Sequence, residues 1–342
     1  MAVGDNSQQA VNSYLAVFRE ATWGTYPATA ATNATFLPFM SCSFKTDVKS
    51  EKIDTIGHRG YIRRVGLDKT VSGSLEMALH SEESTLLMGV ALGGGIVSTS
   101  LTGAYTHSIS VGNITDTAPT AVSFNYKKGD TVFNFVGGRV GSMVISANVG
   151  EVAKVSFEMM FKDSTIGTSS IASSASYSSV IPFTFVNGVF RYQSTEALAQ
   201  TTTAEEAITG FELKINNNLS SDSGARKLGS NLLAVLPPTR RDIEFKVTQR
   251  FDTTTVFNRF IQATQGAVEL IFSGTAITSE HSNRMRIIMP KVFNVTGDTE
   301  VGGSGDILMS EITYDVLLDT ATTSGREIAI TVINNVASYT AI

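Results

Sequence analysis

A strand followed by a short helix occurs twice in this chain, about half its length apart. That duplication limits what the sequence can fold into more than any other feature, because a repeated unit must pack against its own copy. In the first copy Leu75, Met77 and Leu79 alternate with Ser74, Glu76 and Ala78, which is the period of a half-buried strand. Ser81 follows as a helix N-cap with Glu82 and Glu83 in the first turn, then Leu86, Leu87, Val90 and Ala91, and Gly93 to Gly95 end the helix. In the second copy Ile243, Phe245 and Val247 alternate with Glu244, Lys246 and Thr248. Asp252 is the expected cap, Val256, Phe257, Phe260 and Ile261 form the stripe, and Gly266 closes the helix. The spacing is 168 residues between the strands and 170 between the helical stripes.

Later segments extend the correspondence. Val155, Phe157, Met159 and Phe161 share one face of a strand, as do Ile312, Tyr314, Val316 and Leu318 near the end. The residues around Lys127-Lys128-Gly129-Asp130 predict a hairpin, and Asn187-Gly188 predicts a second one between 183–186 and 189–192. Half of the residues in 164–179 are serine and no apolar period survives there, so the domain boundary is expected in that linker. The expected plan is an N-terminal arm (1–35), a first domain (36–180) and a second domain (181–342). Residues 48–69, with Lys49, Lys52, His58, Arg59, Arg63 and Arg64, predict a protruding loop, and 216–241 a counterpart to it.

Composition supports a mainly β protein. Of the 342 residues 42% are hydrophobic and only 17% charged, with abundant Ser, Thr, Val and Gly. A formal charge of −5 argues against a tight grip on nucleic acid, which needs clustered Lys and Arg. Cys42 is the sole cysteine, so intrachain disulfides and cysteine metal clusters are excluded. No run approaches the roughly 20 apolar residues of a membrane-spanning helix, and no membrane partner is expected. The four histidines, His58, His80, His107 and His281, form no ligand-like pair, and Gly93-Gly94-Gly95 lacks the lysine of a phosphate cradle. No catalytic site and no cofactor are expected.

The N-terminal stretch 18–28, FREATWGTYPA, resembles the E-x-T-x-G-T-x-P opening of tail tube proteins from long-tailed, siphovirus-type bacteriophages, followed by Leu37-Pro38. Residues 73–79 (GSLEMAL), 138–146 (GRVGSMVIS), 150–158 (GEVAKVSFE) and 289–293 (MPKVF) are similar to later blocks of that family, in the same order. The resemblance runs from about Ala16 to Asp319 and implies two tandem β-sandwich or half-barrel domains, each with one flanking helix, plus long loops and the N-terminal arm. It implies a structural virion protein that is assembled in the host cytoplasm and polymerises as stacked rings into the conduit for DNA ejection. Single-domain relatives form rings of six, so a duplicated chain implies a homotrimeric, pseudo-hexameric ring. Expected partners are the chain itself, tail-tip, tape measure and terminator proteins, and viral DNA in transit without specific binding. Glu76, Glu158, Glu244 and Asp315 are the candidate lumen-facing acids. Trp23, Arg59, Arg63 and Arg64 are the candidate inter-ring contacts. The alternatives are a tail-tip or terminator ring protein of the same fold, or a β-sandwich adhesin or carbohydrate-binding module.

Overall fold

The computed structural model describes residues 10–27, 34–54, 56–57, 59–112, 121–167, 171, 175–199, 207–252, 254–297, 307–320 and 325–339. His58, residues 1–9 and 28–33 of the N-terminal arm and part of the Ser-rich linker lie outside the described residues. The first half contains β1 (Tyr14–Arg19), β2 (Thr35–Leu37), β3 (Phe39–Cys42), β4 (Lys45–Ile53), β5 (Arg63–Ala78), α1 (Glu83–Leu92), β6 (Gly93–Leu101), β7 (Ala104–Val111), β8 (Val122–Lys128), β9 (Thr131–Asn148), β10 (Lys154–Phe161) and β11 (Asp163–Ile166). The second half contains β12 (Gly188–Gln193), α2 (Glu196–Ala199), β13 (Ile208–Asn216), β14 (Asp242–Arg250), α3 (Thr255–Ile261), β15 (Gln265–Ala276), β16 (Ser282–Asn294), β17 (Met309–Val316) and β18 (Ala329–Asn334). The protein is mainly β, as its composition predicts.

Each half is a two-layer sandwich built on one long strand that crosses both layers. In the first half β9 pairs with β10 in one layer and with β8 and β11 in the other. In the second half β16 pairs with β17 in one layer and with β15 and β18 in the other. β1 on β8 matches β12 on β15. The β6–β7 hairpin has no counterpart among the described residues of the second half. Alternation places Leu75, Met77, Val155, Phe157, Phe245, Val247, Ile312 and Tyr314 in a single core cluster shared by both halves. The first half fills it with a knot of edge-to-face and tilted rings around Phe44, Phe124, Phe135 and Phe161. The second half uses Phe190, Phe211, Phe245 and Tyr314.

Two strand pairings sew the halves together. β9 pairs with β13 over residues 142–148 and 210–216, and β7 pairs with β18. One layer is therefore a continuous sheet in the order β3–β5–β10–β9–β13–β14–β17–β16, with β4 continuing the edge of β3 along β5.

Local expectations need several corrections. Residues 48–53 and 63–69 form strand rather than loop: β4 and β5 pair from Lys45↔Ser72 to Ile53↔Arg63, so the polar run belongs to an exposed hairpin. Ser81 does not cap α1, because its hydroxyl donates to Asn283 Oδ1 instead. Gly93 does end α1, at φ +78, a conformation that glycine adopts without a Cβ clash. Asp252 is drawn to Arg250 and caps nothing, and α3 ends before Gly266, which lies inside β15. The Asn187-Gly188 hairpin is absent. Residues 185–187 make a 3-10 turn in which the Asn187 side chain accepts from the Thr184 amide, and β12 pairs with β15. Leu318 is exposed beyond the end of β17.

Candidate functional site

The continuous sheet buries one face, and no strand layer among the described residues covers the other. Residues on that open face align across strands in register, and one row reads Ser41, Glu76, Ser156, Val144, Lys214, Glu244, Asp315 and Phe293. Glu76 and Glu244 hold the same place in the two halves. The register thus brings Glu76, Glu244 and Asp315 into a single row, and Glu158 lies one row away, paired with Ser74 and Ser142. All four sequence-predicted acids share one face.

Glu212, Asp242 and Glu311 add to the same face, and Lys154, Lys214, Lys246 and Lys291 answer them, so carboxylates outnumber ammonium groups. Two of these lysines are tied to acids. Lys154 Nζ lies 3.7 Å from Glu76 and Lys246 Nζ lies 3.1 Å from Glu244. Its hydrogen bond to Glu244, then the attraction of that carboxylate, raises the Lys246 pKa. Glu158 accepts from the Ser142 hydroxyl at 2.9 Å. Such pairs in water contribute little stability, so their consequence lies in the field: a weakly negative surface without a cationic cluster that could hold phosphate.

Trp23 packs inside the chain. Its Nε1 donates to the Gly137 carbonyl at 3.2 Å, and its ring carries the Lys162 ammonium at 4.8 Å and the Arg139 guanidinium at 5.5 Å. Glu20 fastens the same corner by accepting from the Gly24 and Gly137 amides and the Ser123 hydroxyl. Arg59, Arg63 and Arg64 lie apart from Trp23, exposed on or beside the β4–β5 hairpin, where Arg64 Nε donates to Ser50 Oγ at 2.7 Å.

Sequence reasoning missed the polar groups that hold the seam between the halves. Asn217 Nδ2 donates to the Ala91 carbonyl at 2.7 Å and the Val140 carbonyl at 3.0 Å. Arg241 donates to the Leu92 carbonyl at 3.0 Å, to Asn217 Oδ1 at 3.2 Å and to Glu327 at 3.1 Å. These two side chains satisfy carbonyls that the C-terminus of α1 leaves without helical partners. A second missed cluster is Glu269, whose side chain is 2% exposed and set between Arg191 and Arg286. Nothing local marks either group in the sequence, since every partner is remote.

Among the described residues no group of three or more His, Cys, Asp or Glu is placed to hold a metal ion. Burial pushes the Cys42 thiol up to about 11, so it is inert rather than nucleophilic. No helix among the described residues is long and apolar enough to cross a membrane.

A family model described as phage tail tube protein covers residues 10–334. No curated protein matches the chain.

Proposed function

We infer the function of this chain from one premise: it belongs to the phage tail tube protein family. It is therefore a structural component of the virion tail that assembles with itself into a tube. The finer reading is that each half supplies one tube domain, that three chains close a ring with approximate six-fold symmetry, and that rings stack around a channel for DNA.

The observation that carries this reading is the row of matched positions on the open face, where Glu76 and Glu244 recur in two equivalent four-strand sheets. A face that repeats within the chain suits a channel wall that repeats around an axis. Glu76, Glu158, Glu244 and Asp315 then face the lumen. Their excess charge keeps the DNA polyanion from adhering, so that it slides during ejection. The exposed β4–β5 hairpin, with Arg59, Arg63 and Arg64, reaches the next ring, while Trp23 holds the N-terminal arm in place. Tail-tip, tape measure and terminator proteins are the expected neighbours at the ends and in the channel, with assembly in the host cytoplasm.

Electron microscopy of the purified protein together with native mass spectrometry of isolated rings tests this. Tubes built of three-chain rings are expected. Rings that never stack would instead indicate a terminator, and six chains per ring would overturn the assignment of two tube domains to one chain.

A further inference from the structure

We propose that the hollow enclosed by β1, β2, the first turn of α1, residues 176–178 and residues 336–339 is a binding site for a small organic cation, an alkylammonium ion whose charge meets the Glu83 carboxylate. The site is separate from the open face of the sheet and does not depend on the tube reading.

Five segments remote in sequence build it. β1 and β2 pair through Val17↔Thr35 and bring Phe18 and Phe36 to one wall. α1 begins at Glu83, and the Ser178 amide donates to Glu83 Oε1 at 2.9 Å, so residues 176–178 lie against the first turn of the helix. The chain beyond β18 returns to the same turn. There the Tyr339 hydroxyl donates to the Glu82 carbonyl at 2.8 Å, and Arg19 Nη1 donates to the Tyr339 carbonyl at 3.4 Å. These contacts leave a hollow of about 400 Å³, the size of a small-molecule site rather than of a packing defect.

Glu83 decides the chemistry of the ligand. It lines the hollow, is only 4% exposed, and has one oxygen bonded: Oε1 takes the Ser178 amide, and Oε2 has no hydrogen-bond partner. His80 Nδ1 lies 3.3 Å from Oε2 but off the line of a hydrogen bond, and is itself unsatisfied. Burial lowers the pKa of His80, against the pull of Glu83 and then Glu82, so the ring does not supply the missing positive charge at neutral pH. A buried carboxylate with an open acceptor position is costly until a donor completes it, and a charged donor does so best.

The rest of the wall favours a cation carried on an apolar chain. Glu82 adds a second carboxylate, while the Arg19 guanidinium is drawn to the Tyr339 carbonyl, so acids outnumber bases around the hollow. The faces of aromatic rings attract cations, and Phe18, Phe36 and Tyr177 are at hand, with Leu86 to pack against an alkyl chain. A metal ion does not fit, since among the described residues no group of three or more His, Cys, Asp or Glu is placed to hold one.

Calorimetric titration of the full chain with hexylammonium tests this, with 1-hexanol and hexanoate as its uncharged and anionic counterparts. Hexylammonium should bind at a single site per chain, and the other two at least about tenfold more weakly. No binding of hexylammonium, or equal binding of 1-hexanol, would overturn the cation site. Glu83→Gln keeps an oxygen for the Ser178 amide and should weaken binding at least about tenfold. Because that change lies in a buried turn, Ser176→Lys is the second variant. Ser176 is an exposed part of the wall, and a tethered ammonium there should compete with the free one and weaken its binding while the thermal midpoint stays the same. Glu280→Gln, at an exposed position between β15 and β16, should bind as the unaltered chain does. Unchanged binding in both Glu83→Gln and Ser176→Lys, or an equal loss in Glu280→Gln, would overturn the site and spare the tube reading.

Discussion

Helices α1 and α3 follow strands 168 residues apart and hold the same place in the two halves, yet every residue of α1 is buried and none of α3 is. The difference lies in their neighbours. α1 is enclosed by the second half of its own chain, whereas α3 faces outward at the end of the sheet. Composition follows suit: α1 reads ESTLLMGVAL, apolar over most of its length, while α3 reads TVFNRFI, exposes Asn258 and lays Arg259 over the Tyr192 ring. The two helices differ because one lies at an internal junction and the other at an external surface.

The largest expected effect tests whether the halves behave as one body. Phe161→Ala in the first half and Phe245→Ala in the second should each cost about 3–5 kcal/mol, as large core truncations do. Because both residues belong to one core cluster, each should shift the same single denaturant transition. Two separate transitions would show that the seam is weaker than the cores it joins.

Next in size is the seam itself. Arg241→Ala should destabilise the chain by about 1–3 kcal/mol, because the carbonyl of Leu92 and the side chains of Asn217 and Glu327 all lose a donor. Chemical denaturation of this variant beside Ile261→Asp sharpens the contrast: the α3 change should leave the isolated chain close to its original stability. Equal losses in both would erase the distinction between the two helices.

A smaller, pH-dependent effect falls on the α1 side alone. Burial lowers the pKa of His80, against the opposing pull of Glu83 and Glu82, and burial likewise lowers that of His107. His107 Nε2 lies 2.9 Å from Asn334 Oδ1, an acceptor to which it donates, and Nδ1 lies 2.8 Å from Ser98 Oγ. A histidine with a depressed folded-state pKa takes up protons more readily when unfolded, so its contribution is full above the ordinary value near 6.5 and falls as pH drops through it. Melting curves from about pH 7.5 down to pH 5 should show the loss, and His107→Gln should reduce it. A pH-independent midpoint would contradict the assignment.

The smallest effect on stability is expected at the hairpin. Arg63→Glu with Arg64→Glu should change folding free energy by no more than about 0.5 kcal/mol, because both side chains are exposed. Sedimentation should nevertheless show rings that no longer stack. Normal tubes from this variant would take the hairpin out of the ring-to-ring contact.

The sequence by itself determined the mainly β class and which face of strands such as β5 is buried, because a two-residue alternation such as Leu75, Met77 and Leu79 is a local pattern with one packing solution. It also put Glu76, Glu158, Glu244 and Asp315 on exposed faces. Caps and turns misled, since Ser81 and Asp252 found stronger partners in Asn283 and Arg250 than the helix amides they were expected to serve. Only the tertiary structure decided that β9 and β13 join two four-strand sheets into one, that Asn217 and Arg241 close the end of α1, and that Glu269 lies between Arg191 and Arg286. Those contacts link residues separated by tens to more than a hundred positions. A backbone edge has the same hydrogen-bonding groups whatever its sequence, so which strand it meets is set by the packing of the whole chain.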